Sequence, residues 1–158
     1  MDAKKLRDIF DYKDGNLLWK VVRKGVNKDK IAGYTRPDGY RATRVDGKSY
    51  LVHRLVFMYH NGFMPSVIDH IDGDPRNNRI ENLRECTMAQ NTANSKRKRT
   101  NLSGVKHVRW NKSCSKWQVI MQINGKQRHV GVYKDLELAE LVAIEARNKY
   151  HGEFARHN

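Results

Sequence analysis

Two cysteines in 158 residues exclude most cysteine-built architectures. Cys86 and Cys114 stand far apart and neither belongs to a Cys-x-x-Cys pair, so a disulfide framework and a structural zinc finger are both out and two reduced thiols remain. No apolar run is long enough to span a bilayer. No signal segment opens the chain, which is charged from Lys4 onward. The expectation is a soluble, cytoplasmic protein with no membrane partner and no implied protein partner. Acidic side chains are scarce beside basic ones, 17 Asp+Glu against 31 Lys+Arg, a formal charge of +14. That excess favours a polyanion, and nucleic acid is the commonest one. A merely well-solvated basic surface and an anionic membrane surface are the plainer alternatives. With 39% hydrophobic residues the chain supports modest cores in one or two small domains.

The periodicity predicts an α+β protein. Residues 2–12 read as a short helix with Leu6, Ile9 and Phe10 on one face. Residues 16–22 are strand-prone, between turn signals at Asp14-Gly15 and Lys24-Gly25. Residues 40–45 and 48–52 flank Asp46-Gly47, a two-residue hairpin signal. Arg36, Arg41 and Arg44 in this antiparallel region are candidates for DNA backbone contacts; a solvated face is the alternative for each. A helix follows over 53–61, ended by Asn61-Gly62, then a short strand over 67–71, a second strand or turn over 80–83, and a helix over 87–94 with Thr87 as N-cap.

Lys96, Arg97, Lys98 and Arg99 form a basic linker, read as a strap along phosphates rather than a slack tether. Beyond it, strands over 105–110, 117–123 and 128–133, with Asn124-Gly125 as a tight turn, precede a helix over 136–150. Leu138, Leu141, Val142, Ala146 and Tyr150 read as the apolar stripe of that helix. Residues 96–158 hold 14 Lys+Arg against 5 Asp+Glu, a net +9, so most of the excess charge lies here.

The chemistry concentrates between Ile68 and Asn91. Asp69 and His70 are neighbours on a short strand and so address opposite sides. Asp69 offers a carboxylate oxygen and Asn91 an amide oxygen, hard donors that suit Mg²⁺ or Mn²⁺ with water and phosphate completing the shell. A calcium loop starting at Asp72 fails, because Arg76 and Asn77 fall where an oxygen ligand and a glycine are required.

His53-Arg54-Leu55-Val56, Asp69-His70-Ile71-Asp72-Gly73-Asp74, Asn77-Asn78-Arg79-Ile80-Glu81-Asn82-Leu83 and Asn91 together resemble the H-N-H homing endonucleases of phages and mobile introns. Eleven residues separate His70 from Asn82, and eight separate Asn82 from Asn91. The resemblance implies a ββα-metal core with His70 as general base, Asp69 and Asn91 on one divalent metal, and Asn82 bracing the loop. Asn91 stands where the name-giving pattern has His, which tilts the metal from Zn²⁺ toward Mg²⁺. His53 matches an upstream family position to which no role attaches; a cap or phosphate contact is expected. Such a site leaves a 5′ phosphate and a 3′ hydroxyl, and one site handles one strand, so a monomer should nick.

Ser103-Gly104-Val105-Lys106-His107-Val108-Arg109-Trp110, Lys116-Trp117-Gln118-Val119, Val130-Gly131-Val132-Tyr133 and the helix through Ala139, Ala143 and Ala146 resemble the APETALA/ethylene-response-type DNA-binding domain. That implies a three-stranded sheet in the major groove with a helix behind it. Alternation then turns Trp117, Val119, Met121 and Ile123 toward the helix, and Gln118, Ile120 and Gln122 toward DNA. Lys106, Arg109, Trp110, Gln127 and His129 are the further contact candidates. Plant members carry more Arg at several of these positions, so base preference does not carry over.

The reading is a site-selective, metal-dependent endonuclease acting on double-stranded DNA. Its parts are a β-rich DNA-contacting region (1–52), a ββα nuclease core (53–95), a basic linker (96–101) and a sheet-plus-helix DNA-binding domain (102–158). The core is expected to complete itself before the linker, so that a chain ending near Ser95 still folds. A DNA-binding regulator with a dead nuclease core is the alternative; RNA binding rests on charge alone.

Overall fold

Asp2 starts the first helix, its carboxylate accepting from the Lys5 N–H at 2.8 Å, and α1 runs Ala3–Ile9. The computed structural model describes residues 1–22, 27–123 and 125–157. The helix expected to residue 12 stops early because Phe10 turns extended (φ −125°, ψ 149°) and starts β1, Phe10–Lys13. There Phe10 pairs with Trp19 of β2, Asn16–Trp19, ring centroids 4.5 Å apart, and is fully buried. Asp14 and Gly15 both take positive φ, the turn geometry that matches hairpin twist. The strand ends at Trp19, not at residue 22: Trp19 N–H and C=O bond instead to Lys30 and Asp29. The Lys24-Gly25 turn lies outside the described residues.

β3 (Tyr34–Thr35), β4 (Arg41–Val45) and β5 (Lys48–Leu51) form an antiparallel sheet in that order, with Asp46-Gly47 as the expected tight turn. α2 (Val52–Asn61) follows and ends at Gly62, whose φ of 82° lets its N–H reach the Met58 carbonyl. β6 (Ile68–His70) and β7 (Leu83–Glu85) pair antiparallel, joined by a loop that closes with a helical turn, Ile80–Asn82. Leu6, Phe10, Leu17, Val45, Leu55, Val56, Ile68 and Leu83 share one core. No domain boundary therefore falls at 52/53: the N-terminal β region and the β6–β7 hairpin are one hydrophobic unit, Met1–Cys86.

The second unit is Thr87–Asn158. The division precedes the helix expected to complete the nuclease core, rather than following it at residue 95. That helix, α3 (Met88–Ala93), opens with a reciprocal capping box between Thr87 and Gln90. β8 (Val108–Asn111), β9 (Lys116–Ile123) and β10 (Lys126–Tyr133) form a sheet with β9 central. The first strand starts later than expected. Residues 101–107 are instead held by the Asn101 and Ser103 side chains on the Val105 and Val108 carbonyls, and His107 has φ 69°. Gly125 carries the positive φ of the second turn, while Asn124 lies outside the described residues.

α4 (Leu136–His151) lies on the sheet and runs into a short helical turn, Gly152–Phe154. Its buried face is Ala139, Ala143, Ala146 and Arg147. Leu138, Leu141 and Tyr150 of the expected stripe are exposed. The alanines offer the i, i+4, i+7 spacing with little bulk, which suits close approach to Val105, Val108 and Val119. Hydrophobicity alone points to the larger side chains one position away.

Candidate active site

β6 is three residues long and fully buried, and it delivers Asp69 and His70 side by side. Strand alternation sends them to different partners. Asp69 sits directly opposite Arg84 on β7. Its Oδ2 accepts from Arg84 Nε at 2.9 Å and from the terminal nitrogen at 2.8 Å. His70 Nε2 lies 3.0 Å from Asn78 Oδ1. An amide oxygen only accepts, so in this contact the ring donates through Nε2.

Two rings close over His70: His53 from α2 at 5.0 Å and Tyr40 at 5.9 Å between centroids. His53 is buried, and burial pushes its pKa down to about 3, helped by His70 and Arg54. It is a neutral ring, and its Nδ1 has no hydrogen-bond partner among the described residues.

The loop after β6 is self-bonded. Asn82 Oδ1 accepts from the Asp72 N–H at 3.0 Å, and its Nδ2 donates to Asp72 Oδ1 at 2.9 Å and the Asn77 carbonyl at 2.8 Å. Asn77 Nδ2 and the Asp74 N–H also donate to Asp72. Burial raises the Asp72 pKa, but these donors outweigh it and the carboxyl titrates below its usual range. Asp72 is thereby occupied inside the loop. From outside, Tyr12 accepts the Ile80 N–H at 3.1 Å. Gly15 lies so close that a Cβ there would sit 2.8 Å from Arg79 N and 3.0 Å from Asn78 C. The β1–β2 turn is therefore a wall behind Asn78.

Asn91 is on α3, half-buried, in the second unit. Among the described residues no three His, Cys, Asp or Glu side chains gather as a metal site. A buried carboxylate such as that of Asp69 is nonetheless a hard oxygen donor, the kind that suits an ion of the Mg²⁺ class. Asp69, 4% exposed, is a buried anion that requires a cationic neighbour; the Arg84 guanidinium meets that need.

The basic candidates separate by environment. Arg36 is exposed and ion-paired to Asp38 at 2.9 Å, and Arg44 is exposed. Arg41 is turned inward, donating to Asn16 Oδ1 at 2.8 Å and the Ala32 carbonyl at 3.1 Å, so it is not a surface contact. Lys96, Arg97, Lys98 and Arg99 are exposed, with Arg97 also donating to the Asn101 carbonyl. Lys106 is buried, against expectation: its ammonium donates to the Ala93 and Ser95 carbonyls.

Strand register sorts the rest. Arg109 pairs with Gln118, His129 with Ile120 and Gln127 with Gln122, so these six share one sheet face. Val119 and Met121 are buried on the other. Trp110 pairs with Trp117 and lies on that helix-side face, not with the glutamines, although it remains 46% exposed at the sheet margin.

Sequence reasoning missed Asn78, Arg84 and Tyr40. Arg84 was findable, since pairing the two short strands places it across from Asp69. The doubled Asn77-Asn78 marked a loop without showing which amide faces the histidine. Tyr40 comes from a hairpin start far away in sequence and carries no local signal.

The sequence model of the HNH endonuclease family matches residues 50–93, the stretch that holds His53, Asp69, His70, Asn82 and Asn91. No solved structure matches the chain. The chain is 28% identical over 145 residues to an uncharacterized HNH endonuclease of Acanthamoeba polyphaga mimivirus, a match that covers 77% of this chain and 42% of that protein. It is 36% identical over 108 residues to Protein 3.8 of Escherichia phage T7, covering 66% of this chain and 87% of that protein. On that similarity the chain belongs to the family of the phage Protein 3.8, and it carries an HNH endonuclease domain.

Proposed function

We propose that the protein is a divalent-metal-dependent DNA endonuclease that hydrolyses one phosphodiester bond per engagement, nicking duplex DNA at selected sites. The observation that carries the reading is the His70–Asn78 contact beside Asp69. It puts a buried imidazole, with Nε2 turned to an amide oxygen, next to a buried carboxylate. His70 Nδ1 takes a proton from the attacking water. His53 stays uncharged next to it and places no competing cation against the incipient imidazolium. Asn82 keeps the loop closed through Asp72. Asp69 and Asn91 would hold a Mg²⁺-class ion, which supplies Lewis-acid stabilisation of the scissile phosphate and of the leaving oxygen.

The sheet face with Arg109, Gln118, Gln122, Gln127 and His129, together with the strap Lys96–Arg99, holds the duplex. A charge of +9 over residues 96–158 supports that role. The test is relaxation of supercoiled plasmid by wild type and His70→Ala, with Mg²⁺ and with EDTA, followed by sequencing of the cut ends. The reading expects nicks with 5′ phosphates only for wild type with the metal. Tight binding without cleavage would favour a DNA-binding regulator instead.

A further inference from the structure

The helix that bears Asn91 is held by the C-terminal module, and one buried lysine makes the connection. α3 has six residues. Helices shorter than ~12–15 residues are marginal in water on their own, so α3 depends on what holds its ends. Its start has the Thr87–Gln90 capping box. Just past its end, Lys106 Nζ donates to the Ala93 carbonyl at 2.8 Å and the Ser95 carbonyl at 2.6 Å. A cation at a helix C-terminus meets both the orphan carbonyls and the negative end of the dipole. Lys106 is itself fixed from behind, since its carbonyl accepts from a terminal Arg147 nitrogen at 2.7 Å. Arg147 is 1% exposed on the buried face of α4. α3 also packs against the Gly152–Phe154 turn that ends α4.

We propose that Lys106 is a positioning residue for the nuclease, clasping the C-terminus of α3 so that Asn91 is presented in a fixed orientation. The C-terminal module is then scaffold for the metal-ligand helix as well as a DNA anchor. The setting of Lys106 argues for a dedicated role. Burial depresses its pKa to about 8, with Arg147 and Arg156 acting in the same direction. An ammonium placed among cations is retained only where its donors are used, and the Lys106 ammonium donates to two carbonyls at the end of α3. The role in cleavage rests on the assignment of Asn91 as a ligand proposed above; the clasp itself does not.

The experiment compares full-length wild type, Lys106→Met and Lys106→Arg in three measurements. These are amide hydrogen exchange over residues 88–95, duplex affinity against salt, and cleavage rate against Mg²⁺ concentration. Lys106→Met should lose protection over 88–95 by about tenfold and raise the Mg²⁺ requirement or lower kcat by about 10–100-fold, as outer supports of metal ligands do. Its affinity and salt slope should stay within about twofold of wild type, and Lys106→Arg should restore most of the loss. If Lys106→Met fails to fold, Lys106→Gln, which keeps a donor, takes its place. Unchanged exchange over 88–95 overturns the clasp. A salt slope reduced by about 0.9 shows a phosphate contact instead, and also overturns it. Lost protection with normal cleavage keeps the clasp but removes its part in the reaction, and that overturns the proposal as stated. A wild type that never cleaves with Mg²⁺ fails the nuclease reading, and the exchange result is still read.

Discussion

Asp69 and Arg84 face each other across the β6–β7 ladder, both guanidinium donors meeting a single carboxylate oxygen, at 2.9 and 2.8 Å. The pair does two things at once. It neutralises a buried anion and it ties the strand that carries His70 to its neighbour. Arg84→Met should therefore destabilise the first unit by roughly 3 kcal/mol, the scale for removing one partner of a buried pair. Asp69→Asn should keep the fold better, since the amide oxygen still accepts, yet lose metal-dependent cleavage. Thermal melts and plasmid nicking separate the two variants. Equal stability and equal activity loss in both would mean that the ion pair is only structural.

His70→Ala should reduce cleavage by ~10²–10⁴ while DNA affinity stays within about 1 kcal/mol, because a general base acts on the barrier more than on binding. Asn78→Ala should fall between wild type and that variant. It also has a signature that simple destabilisation does not produce: the ¹⁵N shifts of His70 should move from a single Nε2–H tautomer to a mixture. A Nδ1–H ring in the wild type would reassign the basic nitrogen.

The legible parts of the sequence were those set by local chemistry. Asp46-Gly47, Asn61-Gly62 and Thr87 each end or begin an element where their backbone preferences require it. Asp69, His70, Asn82 and Asn91 stand inside the stretch, residues 50–93, that the HNH endonuclease model matches, and residue types with their spacing are what marks that stretch in the sequence. What escaped depends on interactions between distant segments. Lys106 and Arg41 look like surface cations until carbonyls from residues 11 and 9 positions away reach them. The face of α4 escaped because alanine spacing, not size, decides which side lies on the sheet.

Gly15 shows how the N-terminal hairpin bears on the site. Its φ is +82°, and an added Cβ would sit 2.8 Å from the Arg79 nitrogen. Gly15→Ala should cost about 1 kcal/mol or more in stability through strain and displacement. Because the displaced backbone adjoins Asn78, cleavage should fall further than stability predicts. Activity at a temperature well below the melt, compared with Asp46-turn variants such as Gly47→Ala, isolates that excess; Gly47 has nothing within 4 Å of its Cβ position. Equal activity in the two glycine variants would remove the β1–β2 turn from the site.

Acid should loosen both units. His53 is held neutral with a pKa of about 3, and His107 of the second unit with a pKa of about 4, in each case chiefly by burial. In the unfolded chain both return to ~6.5. The unfolded state then binds protons that the folded state refuses, so stability is full above pH ~6.5 and is lost as pH falls toward the folded values. Denaturant midpoints from pH 7 to pH 4 should decline, and His53→Phe should flatten the decline in the first unit. An unaltered slope in that variant would place the acid lability elsewhere.

The last expectation concerns a chain cut after Ser95. The first unit keeps its core, since Leu6, Phe10, Leu17, Leu55, Ile68 and Leu83 all precede Cys86. The cut removes a net +9, and every phosphate that is no longer neutralised lowers the salt slope of log K by about 0.9. DNA affinity should therefore drop and become less dependent on salt. It also removes Lys106 and the Gly152–Phe154 turn, leaving α3 without its C-terminal support. Cleavage should therefore fail to recover at low salt and high protein concentration, where binding alone is restored. Affinity against salt and single-turnover cleavage at saturating protein decide the matter. Full cleavage by the truncated chain at saturation would mean that α3 needs no support from the residues beyond it.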